Sequence, residues 1–279
     1  MFRKEPNTDV AWCALYSRLQ NENLLNEEPV QIKQRKRIIP VYWAAACIIA
    51  LLGTTIFFLY NSDKKSADLL TLQNTENENI LVKTLEDGST VYLTSNASVS
   101  YPKSFSGNKR EISLKGEALF DVAKNPSKPF LIETEKVTVK VLGTAFKVKS
   151  SVDGNFELVV QRGRVRVTEK VNGNSIVVTA GQSVSFIDNH LFKYSNKDSN
   201  IFNRYTSKMR FKDETLQNIV HVINQNNDSF VVLKGDLLKA SRLNVQFYKN
   251  NVNEMTQIIS LALNLKREIR QDTIFISQP

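Results

Sequence analysis

The hydrophobic pattern of this 279-residue chain changes its period along its length, and each change marks a different element. Trp12, Leu15, Tyr16 and Leu19 recur at i, i+3, i+4 and i+7. That spacing predicts one apolar face of a short helix, with Thr8 or Asp9 able to cap its start. Asn21, Glu22 and Asn23 interrupt the pattern before Leu24 and Leu25. From Ile38 to Tyr60 there is no charged residue. At about 1.5 Å per residue a helix of that length reaches about 34 Å, enough for a hydrocarbon core of about 30 Å. Tyr42 and Trp43 near one end and Tyr60 at the other suit the membrane–water boundary, and Pro40 falls in the first turn, where its missing N–H costs little. A transmembrane helix is therefore expected over 38–60. Core helices seldom run so far without a charge, and signal-peptide cores are shorter.

Residues 61–79 are polar and read as a tether. From residue 80 the period drops to two. Positions 80–85 alternate, Asp87-Gly88 supplies a hairpin turn, and Val91, Leu93, Val99 and Tyr101 continue the pattern. Short β-like runs follow at 111–115, 118–123, 129–133, 136–142, 145–150, 156–160, 164–169, 175–179 and 183–187, punctuated by Gly107-Asn108, Asp153-Gly154, Asn172-Gly173 and Ala180-Gly181. They predict an all-β domain over 80–192, built as a sandwich, a barrel or a β-helix-like stack. A polar linker is expected over 193–208. In 209–279 the periods mix: a strand at 209–211, a helix at 213–226 with Leu216, Ile219, Val220 and Ile223 on one face, strands at 230–233 and 243–247, a helix at 252–263 with Met255, Ile258, Ile259 and Ala262 inward, and strands at 265–270 and 273–276. The order β-α-β-β-α-β-β makes a compact α+β module. The chain as a whole is expected to be mainly β.

Charge adds direction. The net charge is +9, but Lys and Arg are scattered, and the tight run Lys33, Arg35, Lys36 and Arg37 abuts the apolar segment. The far flank offers Asp63, Lys64 and Lys65. The positive-inside rule then places 1–37 in the cytoplasm and 61–279 on the far side, with one crossing. The basic run thus reads as a topology signal rather than a nucleic-acid site. An arm of 37 residues cannot bury a core of its own. Its apolar face wants a partner, with Trp12 as anchor and Arg18 beside it. A membrane-lying helix would carry more bases.

Candidate chemistry is sparse. Cys13 and Cys47 lie in different environments, so no disulfide or metal site is expected. His190 and His221 sit in no triad or ligand pattern. Glu117 and Asp121 share a strand and are the one pair resembling glycosidase carboxylates, although acids on a strand's solvent face are far commoner. Gly143-Thr144 and Gly163 are isolated glycines, not a phosphate loop. No enzyme activity, cofactor, metal or small-molecule substrate is expected.

Three motifs in order carry a family resemblance. Leu85-x-Asp87-Gly88-Ser89-x-Val91-x-Leu93 leads to Ser98 and Tyr101-Pro102. Gly116-Glu117-Ala118-x-Phe120-x-Val122 runs to Asn125-Pro126-x-Lys128-Pro129-Phe130. Val141-Leu142-Gly143-Thr144-x-Phe146 follows. Together they resemble the periplasmic domain of the FecR family, membrane-bound regulators of extracytoplasmic-function sigma factors. The last module is similar to the short secretin and TonB N-terminal fold found at the end of such proteins. Ala11-Trp12 with Leu15-Tyr16-Ser17-Arg18-Leu19 resembles the sigma-binding arm of Bacteroidetes members. Thr94, Lys147 and Ala180 depart from the family pattern, where Asn, Asn and Pro are usual.

The resemblance implies an inner-membrane anti-sigma factor. Its arm would bind a sigma factor through Trp12, Leu15, Tyr16, Arg18 and Leu19. Its periplasmic part would contact the signalling domain of a TonB-dependent outer-membrane transporter, with Leu243, Val245 and Phe247 on a candidate edge strand, and a membrane protease is a further implied partner. The alternative is a non-catalytic membrane protein that holds envelope glycan or an assembly partner.

Overall fold

The structure, a computed structural model, describes residues 8–24, 48–55, 69–76, 79–151, 153–196 and 200–279. The chain divides into two compact units, Met1–Asp63 and Lys64–Pro279. In the first, helix α1 (Thr8–Asn21) carries Asp9 in its first turn and Arg18 in its last, both favourable to the helix dipole. It stops where Asn23 turns left-handed (φ 53°) and the Leu24 N–H donates to the Leu19 carbonyl at 3.1 Å. Residues 48–55 are helical (α2) and exposed throughout. The rest of the expected bilayer span lies outside the described residues, as do Lys33, Arg35, Lys36, Arg37 and Cys47. Among the described residues no helix is long and apolar enough to cross a membrane.

The second unit is built on two sheets that share one strand. Strands β1 (Leu69–Gln73), β4 (Ser98–Pro102), β5 (Arg110–Asp121), β6 (Phe130–Glu133), β7 (Val137–Val141), β10 (Arg164–Glu169) and β11 (Ser175–Thr179) form the first sheet, in the order β1-β4-β5-β6-β7-β10-β11. The second sheet uses β2 (Ile80–Thr84), β3 (Thr90–Leu93), β8 (Ala145–Ser150), β9 (Phe156–Arg162), β12 (Gln182–Ile187), β13 (His190–Ser195), β14 (Lys208–Thr215) and β16 (Arg242–Tyr248). Its order is β13-β12-β9-β8-β5-β3-β2-β14-β16. The runs expected as separate strands at 111–115 and 118–123 are therefore one strand, β5, which leaves the first sheet and enters the second at Gly116. A Cβ there would lie 2.7 Å from Ala97 Cα, and φ is +92°. Only glycine makes that passage without strain.

One core lies between the sheets, with Val91, Leu93, Ile112, Leu114, Phe120, Phe130 and Val167 among its members. The outer face of the second sheet meets a second core. There Ile80, Val82, Tyr92 and Leu119 pack with helices α4 (Leu216–Gln225) and α6 (Val252–Leu263) and with a three-stranded sheet, β15 (Phe230–Lys234), β18 (Thr273–Ser277) and β17 (Lys266–Arg270). All four residues of β3 are consequently buried.

The segment expected as a linker contains the end of β13 and a short helix, α3 (Asn203–Thr206), whose Tyr205 is fully buried in the second core. The expected tether holds β1. The last module also has one element more than its periodicity predicts. Helix α5 (Asp236–Ala240) follows Gly235 (φ +114°) and is too short to show a helical repeat. In α6 the buried face is completed by Thr256 and Ser260 rather than Ala262, which is exposed. The Thr256 hydroxyl hides its polarity by donating to the Val252 carbonyl at 2.9 Å. Both longer helices are capped. Thr215 Oγ1 accepts from the Asn218 N–H, and Asn251 with Glu254 forms a reciprocal capping box, each device contributing about 0.5–2 kcal/mol.

Candidate functional site

Several motif residues of the body form an internal skeleton, while Pro126 and Leu142 reach the surface. Asp87 Oδ1 accepts the Ser89 N–H at 3.1 Å, while Oδ2 accepts the Ser89 hydroxyl at 2.7 Å and Arg110 Nη1 at 2.6 Å. Arg110 is 1% exposed, donates further to the carbonyls of Lys128 and Ala123 (both 2.9 Å), and lies over the Phe130 ring at 5.3 Å. The Ser89 hydroxyl accepts the Ala123 N–H at 3.1 Å. One buried ion pair thus ties the Asp87-Gly88-Ser89 hairpin to the Pro126–Pro129 loop. Arg110 is absent from the motifs as read. Its phase shows it nonetheless, because it alternates inward with Ile112 and Leu114. Phe120 and Phe146 are cross-strand neighbours stacked at 5.6 Å in the first core. Tyr101 packs against that core, and Pro102 closes the β1–β4 ladder opposite Leu69.

The positions that depart from the family pattern are accommodated. The Thr94 hydroxyl donates to the Glu117 carbonyl at 2.8 Å. Lys147 is buried, with Nζ 2.8 Å from Glu157. Burial alone would raise the Glu157 carboxyl, but Lys147 and the Tyr194 hydroxyl together hold it below its ordinary value. Gly181 supplies the left-handed residue (φ +78°) of the turn at Ala180-Gly181.

The two carboxylates considered for catalysis are engaged elsewhere. Glu117 accepts from the Tyr205 hydroxyl at 2.5 Å and from Arg204 at 3.0 Å, and Asp121 pairs with Arg162 at 2.7 Å. Four residues of extended strand place them about 13 Å apart, beyond the roughly 5–9.5 Å that glycoside cleavage needs. Burial, then the Glu117 carboxylate, pushes the Tyr205 phenol far above its ordinary value. His190 and His221 are both exposed, and among the described residues no group of three or more His, Cys, Asp or Glu side chains could hold a metal ion.

Two surfaces bear on the expected partners. On α1 no residue is buried: Trp12 is 68% exposed, Tyr16 52% and Leu15 47%, with Leu19 half-covered and Arg18 alongside. The other is β16, one of the two terminal strands of the second sheet, which among the described residues pairs with β14 alone. Its side chains serve mainly the core. Phe247 is 1% exposed and meets Phe211 edge-on at 6.0 Å, and Leu243 and Val245 are half-buried against the second core. What β16 offers a partner is therefore its backbone edge.

Contacts that join β14 and α4 to the β strands before them were not legible in the motifs. Tyr92, fully buried, accepts Asn226 Nδ2 at 2.7 Å, Lys83 pairs with buried Glu214 at 2.8 Å, and Arg210 reaches Glu76 at 2.6 Å.

No curated protein matches the chain. Among solved structures, two crystal structures of a candidate anti-sigma factor from Parabacteroides distasonis ATCC 8503 align with it. One is 19% identical and covers 76% of this chain and 99% of its own; the other is 18% identical and covers 75% and 99%; both have a TM-score of 0.46. The family model described as FecR protein matches residues 72–166, from within β1 to within β10. That stretch contains the bent strand β5, the Asp87–Arg110 pair and all three motifs, and it matches the family that the motifs resemble.

Proposed function

We propose that the chain is a membrane-anchored anti-sigma factor whose α1 face binds an extracytoplasmic-function sigma factor. The observation that carries this reading is the uncovered stripe of Trp12, Leu15 and Tyr16 on a helix that buries none of its own residues. Such a helix is marginal alone and gains its stability from the groove that receives it. The FecR match supports the regulatory reading, and the uncharged run 38–60 with its basic flank supports a single inner-membrane crossing with α1 in the cytoplasm. The body beyond it receives the signal. The free edge of β16 can take up a strand from the signalling domain of a TonB-dependent transporter by main-chain pairing. Release of the arm then follows cleavage by a membrane protease or a rearrangement of the anchor.

The test is capture of partners by the full chain, extracted in mild detergent, wild type against Trp12→Ala, with mass spectrometry of what is retained. Recovery of a sigma factor by the wild type alone supports the reading. Retention of none by either form, with envelope components held instead, favours an envelope-binding protein.

A further inference from the structure

The outer face of the first sheet carries a groove of about 700 Å³. Strand register places Lys140 of β7 directly opposite Arg166 of β10, and Arg166 in turn opposite Val177 of β11. Arg164 lies two residues back on the same face, opposite Thr179. Pro126, Pro129 and Leu142 add an apolar wall. Leu142 is 44% exposed and Val177 38%, although their neighbours Val141 and Val178 are buried.

The charge of this groove is unbalanced from within the chain. Among the described residues no acid lines it, and none of the three cations makes an ion pair or a side-chain hydrogen bond. Acids on the neighbouring strands are already held. Glu133 pairs with Lys170 at 2.8 Å and accepts the Thr138 hydroxyl at 3.0 Å, Glu111 pairs with Lys109, and Asp121 with Arg162 at 2.7 Å. Like charges directly opposite each other weaken a β-ladder. A threonine at either position would suit an exposed strand better. The fold instead keeps a guanidinium and an ammonium face to face, beside a second guanidinium, in a concave site with apolar sides.

We propose that this groove binds an extended acidic segment of a partner protein, with carboxylates at alternate positions. Arg164 and Arg166, two residues apart on one strand, leave the backbone on the same face about 6.8 Å apart. Side chains i and i+2 of an extended peptide have that same spacing, so successive carboxylates meet successive guanidiniums. Each fork can bind a carboxylate through two parallel hydrogen bonds. Lys140 supplies a further donor across the ladder. The wall of Pro126, Pro129 and Leu142 packs the peptide's flank and excludes water, which strengthens the charged contacts. A bilayer surface is flat and would be met better by a protruding patch than by a recess between a proline loop and a strand. The inference uses residues separate from α1 and β16 and does not rest on the function proposed for them.

The experiment is a fluorescence-anisotropy titration of the detergent-solubilised full chain with a short labelled peptide alternating Glu and Val. Saturable binding is expected, weakening as salt rises. It should fall by about tenfold or more when Lys140, Arg164 and Arg166 are all replaced by Thr, or when Gln replaces Glu in the peptide. These side chains are exposed, so the melting temperature of the variant should be unchanged or higher. The double exchange Arg164→Glu and Arg166→Glu should lose the acidic peptide and gain its Lys-Val counterpart. The proposal is overturned by no saturable binding to the wild type, by equal binding to the triple variant, or by equal binding of the Gln peptide. It is also overturned if phosphatidylglycerol vesicles or inorganic phosphate compete as tightly as the peptide through the same three residues.

Discussion

The middle of the second sheet, around β3, is covered on both faces and the first sheet on one, although they share β5. In β3 of the second sheet, Val91 and Leu93 enter the inter-sheet core while Tyr92 enters the core made with α4 and α6. In β10 of the first sheet, Val165 and Val167 enter the core while Arg164 and Arg166 face solvent. The first arrangement fixes structure on both sides and leaves β3 nothing to display. The second leaves a regular row of outward positions free for recognition. The molecule thus places its groove on the sheet whose outer face has no packing duty.

The sharpest break in this comparison should come from Tyr92→Ala. It removes a fully buried ring and its hydrogen bond to Asn226, and should cost about 3–5 kcal/mol in urea unfolding. Val177→Ala, on the outer face of the first sheet, should stay within about 0.5 kcal/mol. Equal losses would mean that the two sheets are not covered so differently. Gly116→Ala should cost about 2–4 kcal/mol, because it adds a Cβ at φ +92° into contact with Ala97. Near-native stability in that variant would show that β5 need not bend there.

Alkaline pH gives a smaller, graded test. Burial is the main cause that pushes the Tyr92 and Tyr205 phenols well above their ordinary value of 10.0, and half-buried Tyr101 moves the same way. The folded state therefore holds these phenols neutral. Their contribution is intact below about pH 10 and is lost as pH rises above it, because the unfolded chain ionises first. The unfolding midpoint should hold steady from pH 8 to 9 and fall beyond pH 10, less steeply in Tyr92→Phe. A midpoint indifferent to pH up to 11 would contradict the buried placement. The smallest effect is expected from Arg166→Thr. Relieving its repulsion with Lys140 should raise stability by a few tenths to about 1 kcal/mol.

What the sequence made legible follows the same contrast. Alternation located most strands, and the motifs pointed to the family that matches residues 72–166. Patterning could not show that β3 is buried on both faces, since Val91, Tyr92 and Leu93 read equally as a run or as half an alternation. Nor could it show that 209–211 belongs to β14, which continues the second sheet through a parallel pairing with β2, because pairing across so many residues leaves no local signature. The bend at Gly116 was read as a strand break, since a glycine between two β runs marks a turn more often than a strand changing sheets. The spacing of Trp12, Leu15, Tyr16 and Leu19 located helix α1. The cationic groove was not, because Lys140 and Arg166 are neighbours only through register.

The most direct test of the proposed function is calorimetric titration of the solubilised full chain with each extracytoplasmic-function sigma factor of its source organism. One of them should bind the wild type, and Trp12→Ala should weaken that binding by about thirtyfold or more, the loss of a buried aromatic anchor, with no change in melting temperature. Equal affinity in the two forms, or no sigma factor bound by the wild type, would contradict the assignment of the α1 face.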